Sequence, residues 1–168
     1  MSQSNISQEA LVSCQWLADY LEDPQVRVIE VSSSPSDASY REGHLPGAAW
    51  WFWKEALWHP TDREFITPQE LAQRLGGMGI SPQTTVVLYG SPAQFGTYAF
   101  WVLTMAGHQR VRLLDGGRKR WVAEGRPLSQ EIPGFSPVSY PAPNADPSSR
   151  VGRDEVRSRL GQAGRLLL

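Results

Sequence analysis

Thr85-Val-Val-Leu-Tyr89 runs into Gly90-Ser-Pro-Ala-Gln-Phe95, and the apolar stretch Thr97–Ala106 follows before Gly107. Five uncharged residues, three of them β-branched, predict a strand buried on both faces and therefore central in a parallel sheet. Thr97–Ala106 has the length and apolar content of a buried helix, closed by glycine. Val111–Leu114 then reads as the next strand, Asp115-Gly116-Gly117 as a turn, and the residues through Trp121 and Val122 as a short helix. Strand, helix, strand in this order calls for a crossover connection, and so for a sheet covered by helices.

The same alternation extends toward the N-terminus. Thr67-Pro-Gln-Glu70 has the form of a capping box with proline at the first helical position, so a helix is expected from Pro68 to the glycines at 76 and 77. Val26–Val31 reads as a strand. Ser13 is placed to cap a helix over 13–21, with Trp16, Leu17, Tyr20 and Leu21 at helical spacing. The expected fold class is α/β, with a central, mostly parallel sheet and helices on both faces.

Composition narrows the function. The 168 residues carry 40% hydrophobic and 20% charged side chains and a formal charge of −1, which lacks the basic excess that a phosphate backbone attracts. No nucleic-acid partner is expected. The first ten residues have neither a charged nor an apolar leader segment, and no later run has the length of a membrane span. The expectation is a cytoplasmic protein with no membrane partner. A single cysteine, Cys14, excludes an internal disulfide and any multi-cysteine metal site. No cofactor and no metal are expected.

Beyond residue 127 the character changes. Residues 128–149 hold Pro133, Pro137, Pro141, Pro143 and Pro147 among serines and small residues, which predicts an extended linker rather than a packed element. Residues 150–168, with Val151, Val156, Leu160 and Leu166–Leu168, repeat the helix-then-strand pattern of the opening. The organisation expected is a domain over 11–127, a linker over 128–149, and the start of a second, truncated domain over 150–168. Few contacts are expected between Val151–Leu168 and the first core.

The motif Tyr40-Arg-Glu-Gly-His-Leu-Pro-Gly-Ala48 resembles the rhodanese signature of an aromatic residue, three others, and His-Leu-Pro-Gly-Ala. Leu88-Tyr89, Gly107-His108 and Val111-Arg-Leu-Leu-Asp-Gly-Gly117 with Trp121 fall in the family's order, so the resemblance covers about residues 11–127. Trp51 departs from it, standing where the signature has an aliphatic residue or phenylalanine. Tyr40, His44, Pro46, Gly47, Asp115, Gly116 and Gly117 are taken as structural positions of that signature.

The resemblance implies a rhodanese-like three-layer fold and sulfur-transfer chemistry. In that family a cysteine directly after the strand, at the head of a tight loop, takes sulfane sulfur from thiosulfate or 3-mercaptopyruvate as a persulfide and passes it to a thiophilic acceptor. Here that position is Gly90. Ser91 is an unactivated hydroxyl, and Pro92 removes a backbone donor from the loop. The run Gly90, Ser91, Pro92, Ala93, Gln94, Phe95 is therefore expected to be a degenerate active-site loop, with no catalytic residue in this chain. The resemblance implies a tandem parent whose second rhodanese domain, the expected partner, carries the cysteine and handles small sulfur-containing anions. This chain then supplies one wall of the interdomain cleft, and Phe95 is expected to be its apolar face.

Other residues are read plainly. Cys14 is expected to be a small buried hydrophobe, and His44 a hydrogen-bonded turn histidine without the clustered ligands a metal needs. Most of Trp50, Trp51, Trp53 and Trp58 are expected in the core, with one or more free to face a second domain. Arg118, Lys119 and Arg120 are read as a solvated helix face, with attraction of an anion as the alternative. A stand-alone inactive module that binds another protein is the rival reading. A phosphatase is a weaker one, because the run from Gly90 to Gly96 holds neither cysteine nor arginine.

Overall fold

The computed structural model describes residues 10–61, 64–145, 148 and 150–162. Leu166–Leu168, expected to start a second strand, lie outside the described residues. In chain order the elements are β1 (Leu11–Val12), α1 (Cys14–Tyr20), β2 (Val26–Ser32), α2 (Ala38–Glu42), β3 (Ala48–Phe52), α3 (Trp53–Leu57), α4 (Pro68–Gly77), β4 (Thr85–Ser91), α5 (Gln94–Met105), β5 (Val111–Leu114), α6 (Gly117–Ala123) and α7 (Arg153–Arg159). The five strands form one sheet in the order β1-β5-β4-β2-β3. Every neighbouring pair is parallel.

The pleat sorts the strand residues into two cores. Val86 and Leu88 of β4, Ile29 and Val31 of β2 and Trp51 of β3 pack with α3, α4 and α5. Val87 and Tyr89, Val26 and Val28, and Ala48 pack on the other face with Cys14, Leu17 and Trp121 of α1 and α6. Because both faces are covered, β4 is buried from Val86 to Tyr89. That is the fully apolar run the sequence shows.

Local signals explain the helix starts. Ser13 Oγ accepts from Trp16 N at 3.0 Å. Thr67 and Glu70 form the reciprocal box, with Glu70 N donating to Thr67 Oγ1 at 3.2 Å and Thr67 N donating to Glu70 Oε2 at 3.0 Å. Such caps are worth about 1 kcal/mol each. The two short edge strands, β1 and β3, and the one-turn helices α2 and α3 were not expected from the sequence.

The proline-rich segment is extended, as its composition predicts, but it is packed against the domain rather than free of it. Ser129 pairs with His44 through both backbone bonds, at 2.8 and 2.9 Å. Val138 N donates to Gly76 O at 2.9 Å, and Tyr140 packs against the α3–α4–α5 core. A side chain at Gly76 would sit 2.6 Å from the Val138 carbonyl oxygen, so helix α4 ends in glycine where this strap crosses it.

Candidate functional site

Strand β4 ends at Gly90 and Ser91, and α5 begins at Gln94, three residues earlier than the sequence pattern predicts. Of the six residues expected to form a loop, Gly90 and Ser91 are thus the last of the strand, and Gln94 and Phe95 are in the first turn of the helix. Only Pro92 and Ala93 connect them, and the Ser91–Pro92 peptide is cis. The turn is tight enough that Gly96 N lies over Gly90. A Cβ at Gly90 would come 2.5 Å from Pro92 O and 2.7 Å from Ala93 O, with Gly96 N nearer still. Conversely, a Cβ at Gly96 would come 2.8 Å from Gly90 N. The space in which a side chain would stand at the strand end is filled by backbone. Gly96 is the member of this pair that sequence reasoning missed. Its signal is a second glycine six residues after the first, on the first turn of an apolar helix.

Beside this turn, at the C-terminal ends of β4 and β5 where open parallel sheets bind ligands, is a cleft of about 740 Å³. Its walls include Leu11, Leu113, Val122 and the 90–93 turn, with Asp115, Gly116 and Gly117 at one side. Arg118 and Lys119, exposed on α6 as a solvated helix face would have them, also stand at its edge. Arg120 does not join them: it is paired with Asp115 and bonds Glu124 at 3.1 Å. Phe95 does not line this cleft either. It is half-buried and leans on Trp53 with ring centroids 5.4 Å apart, inside an aromatic cluster with Tyr98 and Trp58. Of the four tryptophans between 50 and 58, Trp51 is buried and Trp50, Trp53 and Trp58 are half-buried.

The signature residues form a polar knot under the second core. Tyr89 Oη donates to Glu30 Oε2 at 2.6 Å and accepts from Leu45 N at 3.3 Å. Tyr40 Oη donates to Ala48 O at 2.6 Å, and its ring stacks on His44 with centroids 3.8 Å apart. Burial raises the pKa of the Glu30 carboxyl, although the Tyr89 hydrogen bond and the nearby Arg118 charge oppose the rise. Burial likewise pushes Tyr40 up to about 12 and Tyr89 well above its ordinary value. His44 is fully buried; Nδ1 lies 2.8 Å from Tyr40 O and Nε2 3.0 Å from Glu131 O. It is the turn histidine expected, with the strap as its second partner. Pro46 and Gly47 complete that turn, Gly47 at φ +69°.

Cys14 is completely buried, 3.9 Å from Asp115 O, and burial raises its thiol pKa. That is the opposite of an activated nucleophile, which needs a depressed value. Among the described residues no three His, Cys, Asp or Glu side chains converge as a metal site would require. No helix of these residues is long and apolar enough to cross a membrane.

Comparison with known proteins agrees with this architecture. The sulfur carrier protein TtuD of Thermus thermophilus is 46% identical over 153 residues, covering 90% of this chain and 53% of that protein. A putative thiosulfate sulfurtransferase of Mycolicibacterium smegmatis is 40% identical, covering 91% of this chain and 55% of the relative. The chain thus spans about half the length of these curated relatives. Among solved structures, the 3-mercaptopyruvate sulfurtransferase SseA of Escherichia coli superposes with a TM-score of 0.78 over 89% of this chain and 62% of its own, at 21% identity, which speaks to the fold. The anaerobic ergothioneine biosynthesis enzyme of Chlorobium limicola superposes with a TM-score of 0.78 at 26% identity, over 92% of this chain and 42% of its own. The sequence profile of the Rhodanese-like domain matches residues 13–124, and with the parallel sheet and the His44 turn in place the chain belongs to the rhodanese-like domain family.

Proposed function

We propose that this chain is the non-catalytic N-terminal domain of a cytoplasmic tandem sulfurtransferase. The parent moves sulfane sulfur from thiosulfate or 3-mercaptopyruvate to a thiophilic acceptor through a cysteine persulfide in its second domain. The observation that carries the reading is the end of β4: the nucleophile position is Gly90, and its Cβ site is filled by the backbone of the 92–96 turn. A persulfide needs both a sulfur atom and a cradle of converging donors around it. Here the turn closes on itself instead. The only thiol, Cys14, is buried in another part of the core with its pKa raised.

The relatives' extra length supports the tandem arrangement, since this chain accounts for 53% and 55% of the two relatives above. Val151 and Leu160 are more than half exposed, which suits apolar residues whose partners belong to a further unit. The segment is still not wholly detached, because Arg150 bonds Glu64 at 2.6 Å and stacks 4.8 Å over Phe65.

The test is a thiosulfate-to-cyanide assay on the purified 168-residue chain and on the product of the complete gene. The expected result is no thiocyanate above a boiled control for the chain, and turnover for the complete product that is lost when the second domain's cysteine becomes serine. Turnover by the chain alone, abolished by Cys14→Ser, overturns the reading. A gene that ends at this domain favours the stand-alone binding module.

A further inference from the structure

His44 and His108 are both buried, yet they differ in what faces their rings. At His108 a neutral imidazole satisfies both neighbours: Nε2 donates to the Thr84 carbonyl at 3.1 Å while Nδ1 accepts from the Tyr140 hydroxyl at 2.8 Å. At His44 both neighbours are backbone carbonyls, with Tyr40 O 2.8 Å from Nδ1 and Glu131 O 3.0 Å from Nε2. A carbonyl oxygen only accepts, and a neutral imidazole has one N–H to give. Either neutral tautomer would therefore set a bare nitrogen lone pair against a carbonyl oxygen. His44 is fully buried, so bulk water cannot relieve that contact.

From this arrangement we propose that His44 is held as an imidazolium in the folded domain, and that its second ring proton fastens the strap at Glu131. The surroundings suit a buried cation. The Tyr40 ring of α2 stacks on His44 with centroids 3.8 Å apart, and an aromatic face attracts a cation. The buried Glu30 carboxyl of β2 supplies negative charge, and the His44 charge is among those that oppose the rise of its pKa. Tyr89 of β4 donates to that carboxyl and adds no charge of its own, since burial raises its pKa well above the ordinary value. Arg118 of α6 opposes the imidazolium, with Nη2 3.7 Å from the β-carbon position of Gly43. The Glu131 carboxylate is on the exposed side of the strap, where water screens it. Two charge-assisted bonds, each about twice as strong as a neutral one, then favour the protonated ring.

The proton acts as a latch. Ser129 and His44 exchange both backbone bonds, and Gln130 Nε2 donates to Glu42 O at 3.1 Å, so 129–131 is the strap's contact with this turn. Tyr40 belongs to the same turn as His44, whereas Glu131 is 87 residues away along the chain. When the ring loses a proton, the bond to Glu131 is the one that opens by moving the strap alone. Release of 129–131 is thus coupled to rising pH, the opposite direction from His108 at the strap's far anchor. None of this depends on catalytic inactivity or on a second domain.

Nitrogen-15 spectra of the histidine rings in the 168-residue chain test the protonation. At neutral pH His44 is expected to carry hydrogen on both ring nitrogens, and His108 on Nε2 alone. One bare nitrogen at His44 would overturn the proposal. Amide hydrogen exchange tests the latch. Ser129 N donates to His44 O, while Val138 N donates to Gly76 O farther along the strap. The ratio of their protection factors cancels the intrinsic dependence of exchange on pH. That ratio is expected to fall about tenfold as the pH rises from neutral to about 9 and the ring loses its proton, the effect of one charge-assisted bond. His44→Gln, which cannot become a cation, should abolish the change. A ratio that stays level in the parent, or that falls equally in the variant, would remove the His44 proton as the fastening of the strap. If the variant does not fold, the parent's ring spectra and exchange ratio still decide.

Discussion

At Gly90 a missing side chain carries more information than a present one. Any β-carbon there meets three backbone atoms of the following turn, so the position cannot be repaired by substitution alone. Gly90→Cys is therefore expected to destabilise the chain by about 1–3 kcal/mol, the usual cost of overpacking, and to give no thiosulfate turnover. Urea unfolding monitored by tryptophan fluorescence measures the first part. A Gly90→Cys chain as stable as the parent would mean that the turn opens readily, and the argument from a filled cradle would fail. The hydroxyl of Tyr89 is a second position where one atom decides the energetics. Tyr89→Phe strips the buried Glu30 of its hydroxyl donor, and leaving such a group unsatisfied costs about 1–3 kcal/mol. Glu30→Gln in the Tyr89→Phe background is expected to recover part of that loss, because it removes the charge that burial penalises.

Among the elements, the signals that succeeded were those in which chemistry is local. The Thr67/Glu70 box and the Ser13 cap were readable because each bond closes within three residues. β4 was readable because a strand buried on both faces is apolar throughout. The two-residue β1 was not, since it exists only through pairing with Leu113 and Leu114 far along the chain. The early start of α5 was hidden by Gln94 and Phe95, which resemble a loop until the closeness of Gly90 and Gly96 is known. For the same reason the strap could be recognised as extended but not as docked: its anchors are backbone groups and Tyr140, which no periodicity marks. The anchor at His108 has a pH consequence. Its Nε2 faces the Thr84 carbonyl at 3.1 Å and so must donate, which leaves Nδ1 to accept from the Tyr140 hydroxyl at 2.8 Å. Burial lowers the folded pKa of this ring below the ordinary 6.5. The unfolded chain then binds the proton first, so stability is complete above about pH 6.5 and falls as the pH drops toward the lowered folded value, by at most about 1.4 kcal/mol per unit. Replacing His108 with asparagine should flatten that part of the curve of urea midpoint against pH; an unchanged slope would remove His108 as its source.

For the molecule as a whole, the question is where the domain ends. A boundary at 127 follows from composition, yet backbone and side chains beyond it complete groups in the preceding domain. His44 uses Ser129 and Glu131, Gly76 accepts from Val138, and His108 bonds Tyr140. His44 and His108 are both buried, so removing the strap would expose them or leave polar atoms without partners. Each such loss costs about 1–3 kcal/mol, and the uncovering of Tyr140's packing site adds to it. A chain cut after Pro127 is expected to be less stable than the 168-residue chain by roughly 3 kcal/mol or more, whereas a cut after Asn144, which gives up the exposed Arg150–Glu64 pair and its stacking on Phe65, should lie within about 1 kcal/mol of the parent. Urea midpoints of the two truncations make the comparison directly. If both were equally stable, the strap would be a passive connection, and the domain would close where its composition changes. If only the longer one keeps the parent's stability, the folding unit reaches to about residue 144, and any second domain is tethered through a segment that the first has already fixed in place.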